Sequence, residues 1–114
     1  MIYYMAPRQS IDPDELDRLL TVLADQYCRS VIFHFRNSSE SVATVAGLAR
    51  EVRREVEADL GAIAVQLHHS ALPRLDDVGI VEYDARSNTV RYLDGVAPRV
   101  LLEEVETLSR RPGP

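Results

Sequence analysis

Residues Leu60 to Asp84, LGAIAVQLHHSALPRLDDVGIVEYD, constrain the fold more than any other stretch of this chain. Leu60, Ile63, Ala64, Leu67, Ala71, Leu75 and Val78 recur at helical spacing, so one face of a long helix is apolar. Gly79 follows at once, where a helix C-terminus favours a residue that tolerates positive φ. Ile80 to Tyr83 are strand formers, and Ala85-Arg86-Ser87-Asn88 form a turn before Thr89-Val90-Arg91-Tyr92-Leu93. Val81 and Tyr83 should lie opposite Val90 and Tyr92 across this hairpin.

Pro73 interrupts the long helix. It removes a backbone donor and clashes one turn upstream, so the spacing predicts a kink or break near His69 to Leu72.

Asp12-Pro13-Asp14-Glu15 is a helix start: a capping Asp, Pro at the first helical position and Glu three residues after the cap. Leu16, Leu19, Leu20 and Leu23 should share its inner face. Asp25 caps a second helix whose inward residues are Tyr27, Val31, Ile32 and Phe35, and the polar stretch Asn37 to Ser41 ends it. Val42-Ala43 suits a short strand pairing with the later hairpin. Thr44 then caps a third helix carrying Val45, Leu48, Ala49, Val52 and Val56, and a charged turn from Arg53 to Asp59 leads into the long helix. At the end, Val100, Leu101, Val105 and Leu108 form a stripe within 96–110, closed by Arg110-Arg111 and Pro112-Gly113-Pro114.

The resulting order, α-α-(β)-α-α-β-β-α, predicts a mainly α fold with a small β-hairpin (α+β): a single winged helix-turn-helix domain with an extra C-terminal helix. The core helices and wing would occupy 12–93, and the helix at 96–110 would build a homodimer interface through Val100, Leu101, Val105 and Leu108. The simpler role for that helix is to cap the core of its own protomer. A chain of 114 residues has room for one such core and no second.

Charge argues in the other direction. The net charge is −5 and the pI about 5.1, whereas DNA-binding domains ordinarily carry a basic face. All 13 cationic side chains are arginine. A GC-rich genome or adaptation to high salt would each produce that bias, and in a salt-rich cytoplasm phosphate attraction is screened in any case. The apolar runs are far short of a membrane span, and the start Met1-Ile-Tyr-Tyr-Met lacks the basic residues of a signal peptide, so a cytoplasmic address is expected. Cys28 is the single cysteine, which excludes an internal disulfide and a thiolate metal cluster.

The block Leu67-His68-His69-Ser70-Ala71-Leu72-Pro73-Arg74-Leu75, followed by Gly79-Ile80-Val81-Glu82-Tyr83-Asp84, resembles the most characteristic part of a haloarchaeal winged-helix family similar to ArsR-type regulators. The segment Leu20 to Phe35 is similar to that family's opening helices, and the likeness spans Asp14 to Leu93. It implies a winged helix and DNA binding, with no assigned regulatory target. Two departures stand out. The helix Val45 to Val52 lacks the cysteine pair of metal-sensing ArsR relatives. The usual glycine of the helix-turn-helix turn is replaced by Glu51-Val52-Arg53-Arg54-Glu55, so the turn should be longer or irregular.

On a winged helix the long helix would present Asp59, Ala62, Val65, Gln66 and His69 to the major groove. Gln66 could pair with adenine, His69 could reach a base or phosphate, and Asp59 could accept from cytosine while repelling phosphates. Arg86 at the wing tip suits a minor-groove or phosphate contact; its plain alternative is an ordinary exposed turn arginine. Arg50, Arg53 and Arg54 could clamp the backbone or instead pair with Glu51, Glu55 and Glu57.

His68 and His69 point about 100° apart on a helix and cannot share one ion without His34 or Cys28 converging on them, so no metal site is expected. His68 is better placed at the core boundary, donating to a backbone carbonyl. No phosphate loop, nucleophile elbow or metal-hydrolase helix occurs, and Ser70 beside His69 is adjacency rather than a nucleophile with its base. Cys28 sits among apolar positions as inert packing. The reading is a homodimeric winged-helix regulator that binds double-stranded DNA, with no enzymatic activity, no cofactor and no evident small-molecule ligand. The alternatives are a protein-interaction module on the same scaffold and, more weakly, a sensor with a cavity at the dimer interface.

Overall fold

The computed structural model describes residues 12–93 and 105–108. Helix α1 (Pro13–Leu23) opens with the capping box of Asp12 and Glu15, the Glu15 carboxylate accepting from the Asp12 N–H at 3.3 Å. Helix α2 (Gln26–Arg36) is capped by Asp25, whose Oδ1 accepts from the N–H groups of Tyr27 and Cys28 at 2.8 and 3.2 Å. Strand β1 (Val42–Thr44) runs directly into α3 (Val45–Arg53), where the Thr44 hydroxyl accepts from Gly47 N–H.

The long helix begins as α4 (Leu60–Gln66), widens into a π-helical segment (Leu67–Ala71) and continues as α5 (Leu72–Asp77). Pro73 cannot donate to the carbonyl one turn back. The helix accommodates it by widening rather than breaking, with Leu72 N–H reaching Leu67 C=O. The irregularity therefore begins slightly earlier than the proline alone suggests.

Gly79 ends the helix at φ 80°, its N–H bonded to Asp76 C=O while Ile80 N–H bonds Leu75 C=O, both at 3.0 Å. This is a Schellman closure, and it turns the chain into β2 (Val81–Asp84). After a turn at 85–88, with Asn88 at φ 57°, β3 (Thr89–Tyr92) returns. The sheet is antiparallel with order β1-β3-β2, and its register sets Val81 against Tyr92 and Tyr83 against Val90. The order α2-β1-α3-α4-β2-β3 with this sheet is a winged helix-like α+β fold, preceded by α1.

The core gathers Cys28, Val31 and Ile32 of α2, Leu48 and Val52 of α3, Ile63, Leu67, Leu72 and Leu75 of the long helix, Ile80 just before β2, and Val81 and Val90 of the sheet. Each is at most 2% exposed. Phe35 stacks on Tyr92 with ring centroids 5.3 Å apart, joining α2 to β3.

The inner face expected of α1 is narrower than its leucines suggest. Leu19, Val22 and Leu23 are buried, whereas Leu16 and Leu20 are 38% and 46% exposed. Among the described residues helix α1 packs extensively on α2 alone, so they cover its apolar stripe only in part. Of the helix expected at 96–110, only residues 105–108 are described, and they are helical; Val100 and Leu101 lie outside the described residues. Glu106 ties this turn to the end of α2, accepting from Asn37 Nδ2 at 2.6 Å and Arg36 Nε at 3.4 Å. Val105 packs against the core of its own chain, while Leu108 is 61% exposed. No helix among the described residues is long and apolar enough to cross a membrane.

Candidate nucleic-acid interface

In this topology α3 and α4 are the two helices of a helix-turn-helix, and β2-β3 is the wing. The connection at 54–59 is indeed long, as the missing glycine implies. Glu55 holds it in place: its Oε1 accepts from the buried Ser30 hydroxyl at 2.6 Å, and its backbone carbonyl accepts from Gln26 Nε2 at 3.3 Å. A side chain on α2 thus does the work that a tight glycine turn does elsewhere. Nothing local in the sequence marks it, because Ser30 and Glu55 are 25 residues apart.

Asp59 is the N-cap of α4, its Oδ1 accepting from Ala62 N–H at 2.8 Å. That carboxylate serves the helix start rather than standing free for a base. Beyond it, Ala62, Val65, Gln66 and His69 are all exposed on the outward side of the long helix, Val65 at 57%. Ala62, Val65 and Gln66 carry no charge, which suits apolar and amide contacts to base edges and opposes neither phosphates nor an uncharged protein surface.

The arginines separate into two groups. Arg29 donates to Leu23 C=O, Arg36 pairs with Glu106, Arg74 with Asp25, and Arg91 with Glu82 across the hairpin. Arg54 contacts Glu51 at 3.6 Å and is otherwise exposed. By contrast, the exposed Arg50 and Arg53 on α3 and Arg86 at the wing tip have no side-chain partner among the described residues, and Arg18 on α1 is alike. Arg86 is presented by a turn in which Asp84 Oδ1 accepts its N–H at 3.0 Å. Arg50 and Arg53 lie three residues apart and so share one side of α3.

Several acids of this region are already engaged. Glu51 lies 3.9 Å from His34 Nδ1 and 3.6 Å from Arg54, Glu82 binds Arg91, and Asp76 Oδ2 accepts from Tyr83 N–H at 2.9 Å. Four further acids, Asp12, Asp14, Glu15 and Asp17, are grouped at the start of α1. The acidic total of the chain therefore says little about the free charges on α3 and the wing.

His68 does not donate to a backbone carbonyl as expected. Its Nδ1 is hydrogen-bonded to the hydroxyl of Tyr83 on β2, with ring centroids 6.0 Å apart. The π-helical turn directs it toward the wing, a placement that adjacency to His69 does not reveal. Burial raises the Tyr83 hydroxyl above its ordinary pKa, keeping it a neutral partner.

His34 meets Glu51 rather than His68 or His69, and among the described residues no three His, Cys, Asp or Glu side chains gather as a metal set. Cys28 is fully buried, its Sγ donating to Ala71 C=O at 3.8 Å. Desolvation, with the Asp25 carboxylate adding to it, pushes its thiol up to about 12, so it is not a thiolate nucleophile at neutral pH.

A family model described as a domain of unknown function, DUF7344, matches residues 20–91, which takes in α2 through β3 nearly entire. No curated protein and no solved structure matches the chain.

Proposed function

The chain belongs to the DUF7344 domain family, and we propose that it is a homodimeric winged-helix protein that binds double-stranded DNA as a transcriptional regulator. One observation carries this reading. Among the described residues, the exposed arginines without a partner around the helix-turn-helix and wing are Arg50 and Arg53 on α3 and Arg86 on the wing, the elements that precede and follow the long helix with its exposed Ala62, Val65 and Gln66. A duplex needs cations for its phosphates on either side and an uncharged, hydrogen-bonding face at the base edges between them. Gln66 is the residue best suited to a base, paired with adenine; Ala62 and Val65 suit thymine methyl groups. Arg54 serves as an auxiliary phosphate contact.

Dimerisation draws on the sequence stripe of Val100, Leu101, Val105 and Leu108, of which Leu108 is exposed beyond the docked Val105. Light scattering on the full chain tests it, a mass of two protomers supporting the reading and a monomer opposing it. The location we propose is cytoplasmic, and no catalytic step is assigned.

The test of DNA binding is fluorescence anisotropy with duplexes from the gene's own upstream region, across KCl up to molar concentrations. Saturable binding that weakens with salt along a shallow slope supports the proposal. Its absence at every salt concentration from folded protein transfers the reading to a protein-interaction module, which the net charge of −5 and the exposed Val65 favour.

A further inference from the structure

We infer that His68 and Tyr83 form a positioning clamp that fixes the wing relative to the long helix, so that Arg86 and Gln66 meet a duplex as one rigid unit. This rests on the DNA-binding reading for its consequence, though not for its geometry. Three bonds define it. The Tyr83 hydroxyl bonds His68 Nδ1 on the π-helical segment, and Tyr83 N–H donates to Asp76 Oδ2 on α5 at 2.9 Å. Below them, Ile80 N–H bonds Leu75 C=O at the base of the hairpin.

On its β3 side the hairpin is held by pairing with β1 and by Val45 N–H on Asn88 C=O; the two Tyr83 attachments, on different turns of the long helix, hold its β2 side, at the edge of the sheet. The side-chain attachment lies within the π turn: His68 is half-buried and reaches the strand, while His69 beside it is exposed.

The lever is short but consequential. Arg86 lies three residues beyond Tyr83, at most about 10 Å away because the chain turns at 85–88. A 20° turn of β2 about β3 would displace the Arg86 backbone by up to about 3 Å on an arm of that length, more than a charge-assisted hydrogen bond tolerates. Arg50 and Arg53 ride on α3, which meets the hairpin on its β3 side through Val45 N–H on Asn88 C=O and is otherwise held by Thr44 and by core packing of Leu48 and Val52, so a clamp on the β2 side acts first on Arg86.

Tyr83→Phe keeps the ring and removes the hydroxyl. Binding to the upstream duplex should weaken by up to about ten-fold, the loss of one hydrogen bond's worth of order. The decisive readout is coupling. Arg86→Ala should cost several-fold in the native background and little in Tyr83→Phe, while Arg53→Ala should cost the same in both. An equal cost for Arg86→Ala in both backgrounds overturns the clamp even if DNA binding stands.

If native protein binds no duplex, the DNA reading fails and the clamp is judged on the free protein. Amide hydrogen exchange at 85–88 should then quicken in Tyr83→Phe while exchange across α3 stays unchanged; unchanged wing exchange overturns it. His68→Leu is the second variant, expected to reproduce both effects should Tyr83→Phe fold poorly.

Discussion

Arg74, on α5, donates from Nη1 to Asp25 Oδ2 at 3.0 Å, while the other oxygen of that carboxylate caps α2. One arginine thus joins the long helix to the corner between α1 and α2, and its Nη2 also reaches Thr21 C=O at 3.4 Å. A single carboxylate serves both a helix start and a contact between elements 49 residues apart.

The two roles should be separable by mutation. Asp25→Ala removes the cap as well as the pair and should cost about 1–2 kcal/mol. Arg74→Met keeps much of the aliphatic packing, and because the pair is partly exposed it should cost about 0.5–1 kcal/mol. Urea denaturation of both single variants and the double variant should show a total smaller than the sum.

Gly79→Ala should destabilise the fold by about 1–2 kcal/mol, because a Cβ is introduced at φ 80° in the Schellman closure that launches β2. Asn88→Gly, at φ 57°, should stay within about 0.5 kcal/mol of the native protein, since asparagine already tolerates that conformation and glycine adopts it freely. Thermal denaturation of the two variants checks the contrast.

Cys28 sets an alkaline limit. Its folded pKa of about 12 lies above the ordinary 9.0, so folding favours the protonated thiol. That contribution is complete below pH 9 and is lost as pH rises toward 12; the shift corresponds to at most about 4 kcal/mol. Tyr83, also raised, adds a loss of the same sign above its ordinary value of 10.0. Stability measured from pH 8 upward should therefore fall, and less steeply in Cys28→Val. The thiol of native protein at neutral pH should react with a disulfide reagent only as fast as the core opens.

Base-edge and backbone contacts should differ in kind. Gln66→Ala should relax preference at one base pair by about 1–3 kcal/mol of discrimination. Arg50→Ala should weaken binding to all duplexes alike. Comparing each variant on a panel of single-base-pair substitutions distinguishes them.

Much of this architecture is legible in the residues because its signals are local. The Asp12, Asp25 and Thr44 caps, Gly79 at the helix end and the 85–88 turn all act within a few residues of where they are written. Pro73 marks the irregular helix, though a missing donor alone cannot say whether a helix kinks or widens into a π turn. The contacts that organise the interface are not legible. His68 meets Tyr83, Ser30 meets Glu55 and Arg74 meets Asp25 across separations that no periodicity encodes. Leucine spacing likewise puts Leu16 and Leu20 on an inner face, but burial there depends on how far α2 extends over α1. For the interface itself, helical phase and turn position point to Ala62, Gln66, His69, Arg53 and Arg86, all of which are exposed on α3, the long helix and the wing. The same reasoning takes in Asp59, which caps α4, and Arg54, which lies 3.6 Å from Glu51 and is otherwise exposed.

The central claim is that free arginines on α3 and the wing bind phosphates. The most direct measurement is the slope of log affinity against log KCl for native protein, Arg53→Ala, Arg86→Ala and Arg18→Ala, the last an exposed arginine on α1 without a partner among the described residues. Removing one phosphate-bound arginine should reduce the slope by about 1, as in Arg53→Ala and Arg86→Ala, whereas Arg18→Ala should leave it unchanged. Identical slopes in all four proteins, or no duplex binding by any of them, would contradict the account.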